Sequence, residues 1–168
     1  WEQDPVVLAT SVALFACPSN DTQTITDQAF EDIGVPVGLR LATTDYAFSR
    51  GATDAWCVSN GYPSHENGLF HIVGDGFAEV TTFRQISDGA SNTYLVGEKY
   101  MNSNEYETDG TADGGDNHGY FQGFDWDTHR FAAKTWPPLP DTPGFFSYQG
   151  FGSAHPGGWH VVFCDGSV

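Results

Sequence analysis

The chain has 168 residues, enough for a single domain spanning 1–168 that buries about two-thirds of its unfolded surface. Its 22 Asp and Glu against 6 Lys and Arg give a formal net charge of −16, which excludes nucleic acid and anionic membranes as partners, since both need clustered basic residues. Its 13 Phe, 7 Tyr and 5 Trp exclude a disordered chain, and no apolar run reaches the roughly 18 residues of a membrane span.

Residues 6–16 (VVLATSVALFA) are apolar and β-prone, and stop at the turn cluster Cys17-Pro18-Ser19-Asn20-Asp21. As an unpaired strand, this segment could complete a neighbour's sheet by strand addition. Asn20-Asp21-Thr22 is an N-glycosylation sequon, so Asn20 is either a glycan acceptor or a chance match. Residues 26–33 (TDQAFEDI) predict one short helix, capped by Thr26 or Asp27 and stopped by Gly34. β-prone pieces follow at 43–49, 54–58, 69–73, 77–86 and 93–99, divided by Gly, Asn, Asp and Pro. Short strands at such regular intervals predict a mainly β fold, an antiparallel, sandwich-like head with long loops.

Residues 101–128 are acidic and Gly-rich, without Lys or Arg. Within them Asp109, Asp113 and Asp116 offer the oxygen ligands that Ca²⁺ takes, though without EF-hand spacing; a solvated acidic loop is the alternative. Asp125-Trp126-Asp127 would put two carboxylates on one strand face about 6.7 Å apart, a pair that reads as exposed acids or metal ligands before it reads as glycosidase machinery. Prolines exclude helix and central strand from 136–144 (WPPLPDTPG). Trp126 and Trp136, beside these two loops, are the candidate contact aromatics, for a partner or a glycan. The final strand is expected over 159–164, with Trp159, Val161 and Phe163 facing one way and Asp165-Gly166 turning the chain.

Cys17, Cys57 and Cys164 allow one disulfide and leave one thiol, with the pairing open. The chain has no C-x-x-C, no H-E-x-x-H and no G-x-S-x-G frame around Ser153, so nothing points to an enzyme.

Three stretches carry a resemblance: Phe15-Ala16-Cys17-Pro18-Ser19; Ile86-Ser87-Asp88-Gly89-Ala90-Ser91-Asn92-Thr93 with Leu95-Val96-Gly97-Glu98; and His155-x9-Asp165-Gly166. In this order and spacing, over 15–168, the chain resembles the large planctomycete family of unknown function whose members begin with a pilin-type cleavage and methylation leader. The resemblance implies a hydrophobic helix of the type IV pilin and pseudopilin kind followed by a β-rich head, and a bacterial cell-surface or extracellular location. The helix is not present in this sequence. His155, Asp165, Gly166, Asp88, Gly89 and Asn92 read as turn residues, because an intervening strand would hold the ends of the last motif nearly 20 Å apart. The expected function is that of a structural subunit of an extracellular filament or surface assembly, a homo-oligomer with Ca²⁺ as its expected cofactor. A carbohydrate- or solute-binding surface module is the alternative.

Overall fold

The structure, a computed structural model, describes residues 4–19, 24–26, 40–51, 68–70, 82–106, 114–121, 125–134 and 136–168. In chain order these form helix α1 (Pro5–Leu8), a 3-10 turn (Ala13–Phe15), β1 (Thr24–Thr26), β2 (Arg40–Ala42) and β3 (Tyr46–Ser49). Two 3-10 turns (Phe83–Gln85 and Ala90–Asn92) precede β4 (Tyr94–Glu98), and a third (Ser103–Glu105) follows it. The chain then forms β5 (His129–Arg130), β6 (Leu139–Pro140), β7 (Gly152–Ser153) and β8 (Val161–Phe163). The fold is mainly β, with one short α-helix and long loops among the described residues.

The principal sheet runs β5-β3-β4-β8. Its centre is antiparallel, with Ala47 opposite Gly97 and Val161 on the other side of Gly97. β5 joins β3 in parallel, so the sheet is mixed where an antiparallel one is expected. The two small residues at its centre have a packing role. A Cβ on Gly97 would stand 2.5 Å from the Trp159 ring and 3.1 Å from Phe151, so only a bare backbone lets both rings lie on β4. β1-β2 and β6-β7 are separate two-stranded ladders, antiparallel and parallel respectively.

Several sequence expectations change here. The segment 6–16 is not a strand. Asp4 accepts the Val6 N–H at 2.9 Å and Pro5 occupies the first helical position, an N-terminal signal that outweighs β-propensity over a single turn. The strand-addition idea therefore loses its strand. Residues 82–86, the end of the expected 77–86 strand, are a 3-10 turn, because Thr82 and Gln85 close a capping box. The predicted strands at 43–49 and 93–99 hold as β3 and β4, and the last strand is shorter than expected, 161–163. Of the helix expected over 26–33 only Thr26 is described, in β1; the rest, the 54–58 strand and residues 71–81 lie outside the described residues.

Leu41, Ala42, Ala47, Tyr100, Met101, Phe131 and Phe151 form the apolar core. Buried polar side chains outnumber them among the described residues, and Arg130 is fully enclosed. Gly97→Ala should destabilise the protein by about 1–3 kcal/mol, as expected of overpacking. Gly157→Ala, where a Cβ would meet nothing within 4 Å, should be nearly neutral. Urea denaturation of the two variants side by side checks this.

Candidate functional site

Successive side chains of an extended segment point to opposite faces. At the end of β4 this sends Glu98 and Lys99, each only 3% exposed, into two different polar clusters.

On the first side, Glu98 binds four donors. Its Oε2 accepts from the His160 backbone N–H at 2.8 Å and from Ser153 Oγ at 2.7 Å. Its Oε1 lies 3.1 Å from His155 Nε2 and 3.1 Å from His160 Nδ1. Burial pushes this carboxyl up, but the hydrogen bonds from His160 and Ser153 and the nearby His155 more than offset it, and the group ends below the usual glutamate range.

Cys17 completes this cluster. Its Sγ lies 3.5 Å from His155 Nε2 and 3.7 Å from Glu98 Oε1. The thiol is placed by its own backbone, since the Cys17 N–H donates to the Asp45 carboxylate and the Asp45 N–H donates to Phe15 O at 2.8 Å. Burial raises the Cys17 thiol above its usual value and the neighbouring Glu98 charge adds to it, so Cys17 is not an activated nucleophile. The outer edge of His155 is fixed by Ser19, whose Oγ is 3.2 Å from Nδ1, and the His155 N–H donates to Ser153 Oγ at 3.1 Å. Cys17, Glu98 and His155 thus bring a sulfur, an oxygen and a nitrogen within 4.8 Å of one another.

On the second side, Lys99 Nζ meets Asp116 Oδ1 at 2.6 Å and Gly115 O at 3.1 Å. Arg130 donates to the same Gly115 O at 2.8 Å. A Cβ on Gly115 would sit 2.5 Å from that guanidinium, so glycine is needed for the approach. Asp127 is buried beside them, and its Oδ1 accepts the His118 N–H at 2.7 Å. Burial pushes the Asp127 carboxyl up to about 8 and Asp116 adds repulsion, against the pull of Lys99.

These positions revise several sequence expectations. Asp116 is not a solvent-facing calcium ligand, because it is buried against the Lys99 ammonium; Asp109 and Asp113 lie outside the described residues. Cys17 and Cys164 are both free thiols, so neither forms the expected disulfide; Cys57 is not described. Asn20 is likewise outside the described residues. Residues 125–128 form a turn, with the Thr128 and His129 N–H groups on Asp125 O, so Asp125 and Asp127 do not share a strand face. His118, Asp125 and Asp127 do converge, with ligand atoms within 4.8 Å of one another. Trp126 is half-buried, packing on Phe131 with the Arg50 guanidinium 5.1 Å from its ring, so it serves the interior more than a partner. Trp136 is half-buried and bridges to Ala133.

Among the turn residues, Asp165 Oδ1 accepts from the Ser167 N–H and hydroxyl, and Gly166 takes φ 85°. Asn92 donates to Asp88 O at 2.9 Å, and Gly89 takes φ 89°. His155 differs from these: its ring joins the Glu98 cluster. The members missed from sequence were Glu98, Asp45, Ser153 and His160. The available signal was that a carboxylate closes the apolar run Leu95-Val96-Gly97-Glu98, where a partner must be supplied.

Asp127 gives a pH dependence. The folded carboxyl holds its proton to about pH 8, whereas the unfolded one releases it near pH 4. Between these values the folded state binds more protons, so stability falls as pH rises. Asp127→Asn should remove that part of the slope, and urea midpoints at about pH 5 and about pH 8 should lie closer together than in the parent.

No curated protein and no solved structure matches the chain. The three stretches singled out in the sequence meet at one buried carboxylate, and the match to a family signature extends over residues 1–168: the chain belongs to the family described as protein of unknown function (DUF1559).

Proposed function

We propose that this chain is the head of a pilin-like, extracellular surface protein that works by self-assembly, contacting copies of itself through its N-terminal segment. The observation that carries this reading is the exposure of that segment's apolar residues: Val6 is 73%, Val7 62% and Leu14 81% exposed. Apolar side chains grouped on one short segment favour a protein contact. The segment is also firmly seated. Leu8 is buried, Asp45 and Phe15 pair through the backbone, and Cys17 enters the Glu98 cluster, so the exposed residues are presented on a fixed base. A second exposed apolar pair, Phe145 and Phe146, follows the Pro-rich stretch.

The net charge of −16 opposes contact between copies, so association needs both this apolar surface and screening by cations. Calcium acts here as a screening ion, since Asp116 is committed to Lys99. The reading of the chain as non-enzymatic rests on the absence of C-x-x-C, H-E-x-x-H and G-x-S-x-G frames from its sequence. The location outside the cell rests on the resemblance to pilin-type surface proteins.

Purified protein should show concentration-dependent association by light scattering and ordered assemblies by negative-stain electron microscopy, both strengthened by calcium. Replacing Val6, Val7 and Leu14 together by Ser should abolish assembly while leaving the melting temperature nearly unchanged, because these side chains are in solvent. A monomer at all concentrations, with and without calcium, would overturn this reading. The groove between 138–140 and 155–159, edged by Trp159, would then be the place to look for a small ligand or sugar.

A further inference from the structure

We propose that Cys17, Glu98 and His155 form a binding site for a divalent transition metal of the zinc type, which clasps the N-terminal segment and the C-terminal loop to the end of β4. The first support is the shape of the donor triangle. Zinc takes thiolate sulfur at about 2.3 Å and imidazole nitrogen or carboxylate oxygen at about 2.0–2.2 Å. With tetrahedral angles those lengths place the donors roughly 3.3–3.6 Å apart. The separations are 3.5 Å from Sγ to Nε2, 3.7 Å from Sγ to Oε1 and 3.1 Å from Nε2 to Oε1. A metal ion can be seated with shifts of a few tenths of an ångström.

The second support is the set of contacts around the donors. A metal-binding histidine commonly has its other ring nitrogen held by a hydrogen-bonding group, and a metal-binding carboxylate is itself hydrogen-bonded. Here Ser19 Oγ sits on His155 Nδ1, which leaves Nε2 directed at the sulfur. Ser153 Oγ and the His160 N–H hold Glu98 Oε2, which leaves Oε1 directed at Cys17 and His155. The Asp45 carboxylate fixes the Cys17 backbone. The imidazole and the carboxylate are each oriented by a contact on the far side, and the thiol is placed through its own backbone.

The chemistry of the set selects the metal. A sulfur and an imidazole suit zinc and its neighbours and do not suit calcium or magnesium, which take oxygen ligands. The Cys17 thiol releases its proton to solvent on binding, and His155 ligates through Nε2 as the neutral tautomer that carries its proton on Nδ1, beside Ser19 Oγ. Three protein ligands leave a fourth position open. His160 Nδ1 lies 3.1 Å from the same Glu98 oxygen, on a ring that is 64% exposed.

The test uses the full chain stripped by a chelator, with circular dichroism confirming that it stays folded. Zinc is titrated in competition with a chromophoric chelator, and cobalt(II) serves as a spectroscopic probe for thiolate ligation. We expect saturable binding of a single zinc that excess calcium does not displace, and a thiolate-to-cobalt absorption band. Cys17→Ser and His155→Gln should each weaken zinc by at least about a hundredfold, and Ser19→Ala, which keeps every ligand, by about tenfold. Cys164→Ser, a buried thiol elsewhere, should change nothing. Failure of the folded protein to bind zinc saturably would overturn the proposal, as would a cobalt–thiolate band that persists in Cys17→Ser. Because the readout is metal affinity and not assembly, its outcome is independent of whether the head self-associates.

Discussion

A carboxylate only 3% exposed must find donors inside the protein or give up its charge, and the donors of Glu98 come from well outside its own strand. Ser153 ends β7, His155 and His160 lie in the loop before β8, and Cys17 lies far away in the sequence. Segment 153–160 supplies four of these contacts, and Cys17 Sγ adds a fifth from the N-terminal side. The segments around Cys17 and over 153–160 are therefore tied to β4 by one side chain. Removing one partner would cost more than the bond it makes, because it would leave a buried charge short of donors.

Lys99 imposes the complementary constraint on the opposite face. Its ammonium and the Arg130 guanidinium both need oxygen in a place without water, and the 114–121 segment supplies it through Gly115 O and the Asp116 carboxylate. Two adjacent residues of opposite charge, directed apart by the pleat of an extended segment, thus organise the loops on both faces of a small sheet. Several strands of two or three residues have few ladder hydrogen bonds of their own, so this polar interior carries much of the specificity that long strands provide elsewhere.

The parts legible in the sequence were those set by local pattern. β3 and β4 read correctly because Tyr46 and Phe48 in one, and Tyr94 and Val96 in the other, recur at the two-residue period of a strand, and the turns at Asp88–Asn92 and Asp165–Gly166 follow from side chains that bond their own backbone. The entry of the chain was misread because apolar content over 6–16 was weighed above Asp4-Pro5, a cap and first-turn pair that decides so short a helix. The proposed metal-binding residues each lie in one of the three stretches that carry the family resemblance, but their convergence was not legible. The three are 81 and 57 positions apart in the chain, and no spacing rule connects them. Asp116 shows the reverse error: composition alone placed it in solvent with its acidic neighbours, whereas a lysine 17 positions away had claimed it.

The two proposals meet at the N-terminal segment. Its exposed valines and Leu14 can act as a contact surface only if the segment holds one position, and the burial of Leu8 and the hydrogen bonds from Asp45 N–H to Phe15 O and from Cys17 N–H to the Asp45 carboxylate seat it. A metal held by Cys17, Glu98 and His155 would tie the same segment with much stronger bonds, and would do so next to a surface whose net charge of −16 draws cations toward it. Metal availability would then govern how sharply the apolar surface is presented, while bulk salt governs how closely two acidic heads approach. Assembly would depend on cations of two chemical kinds, acting at different places for different physical reasons.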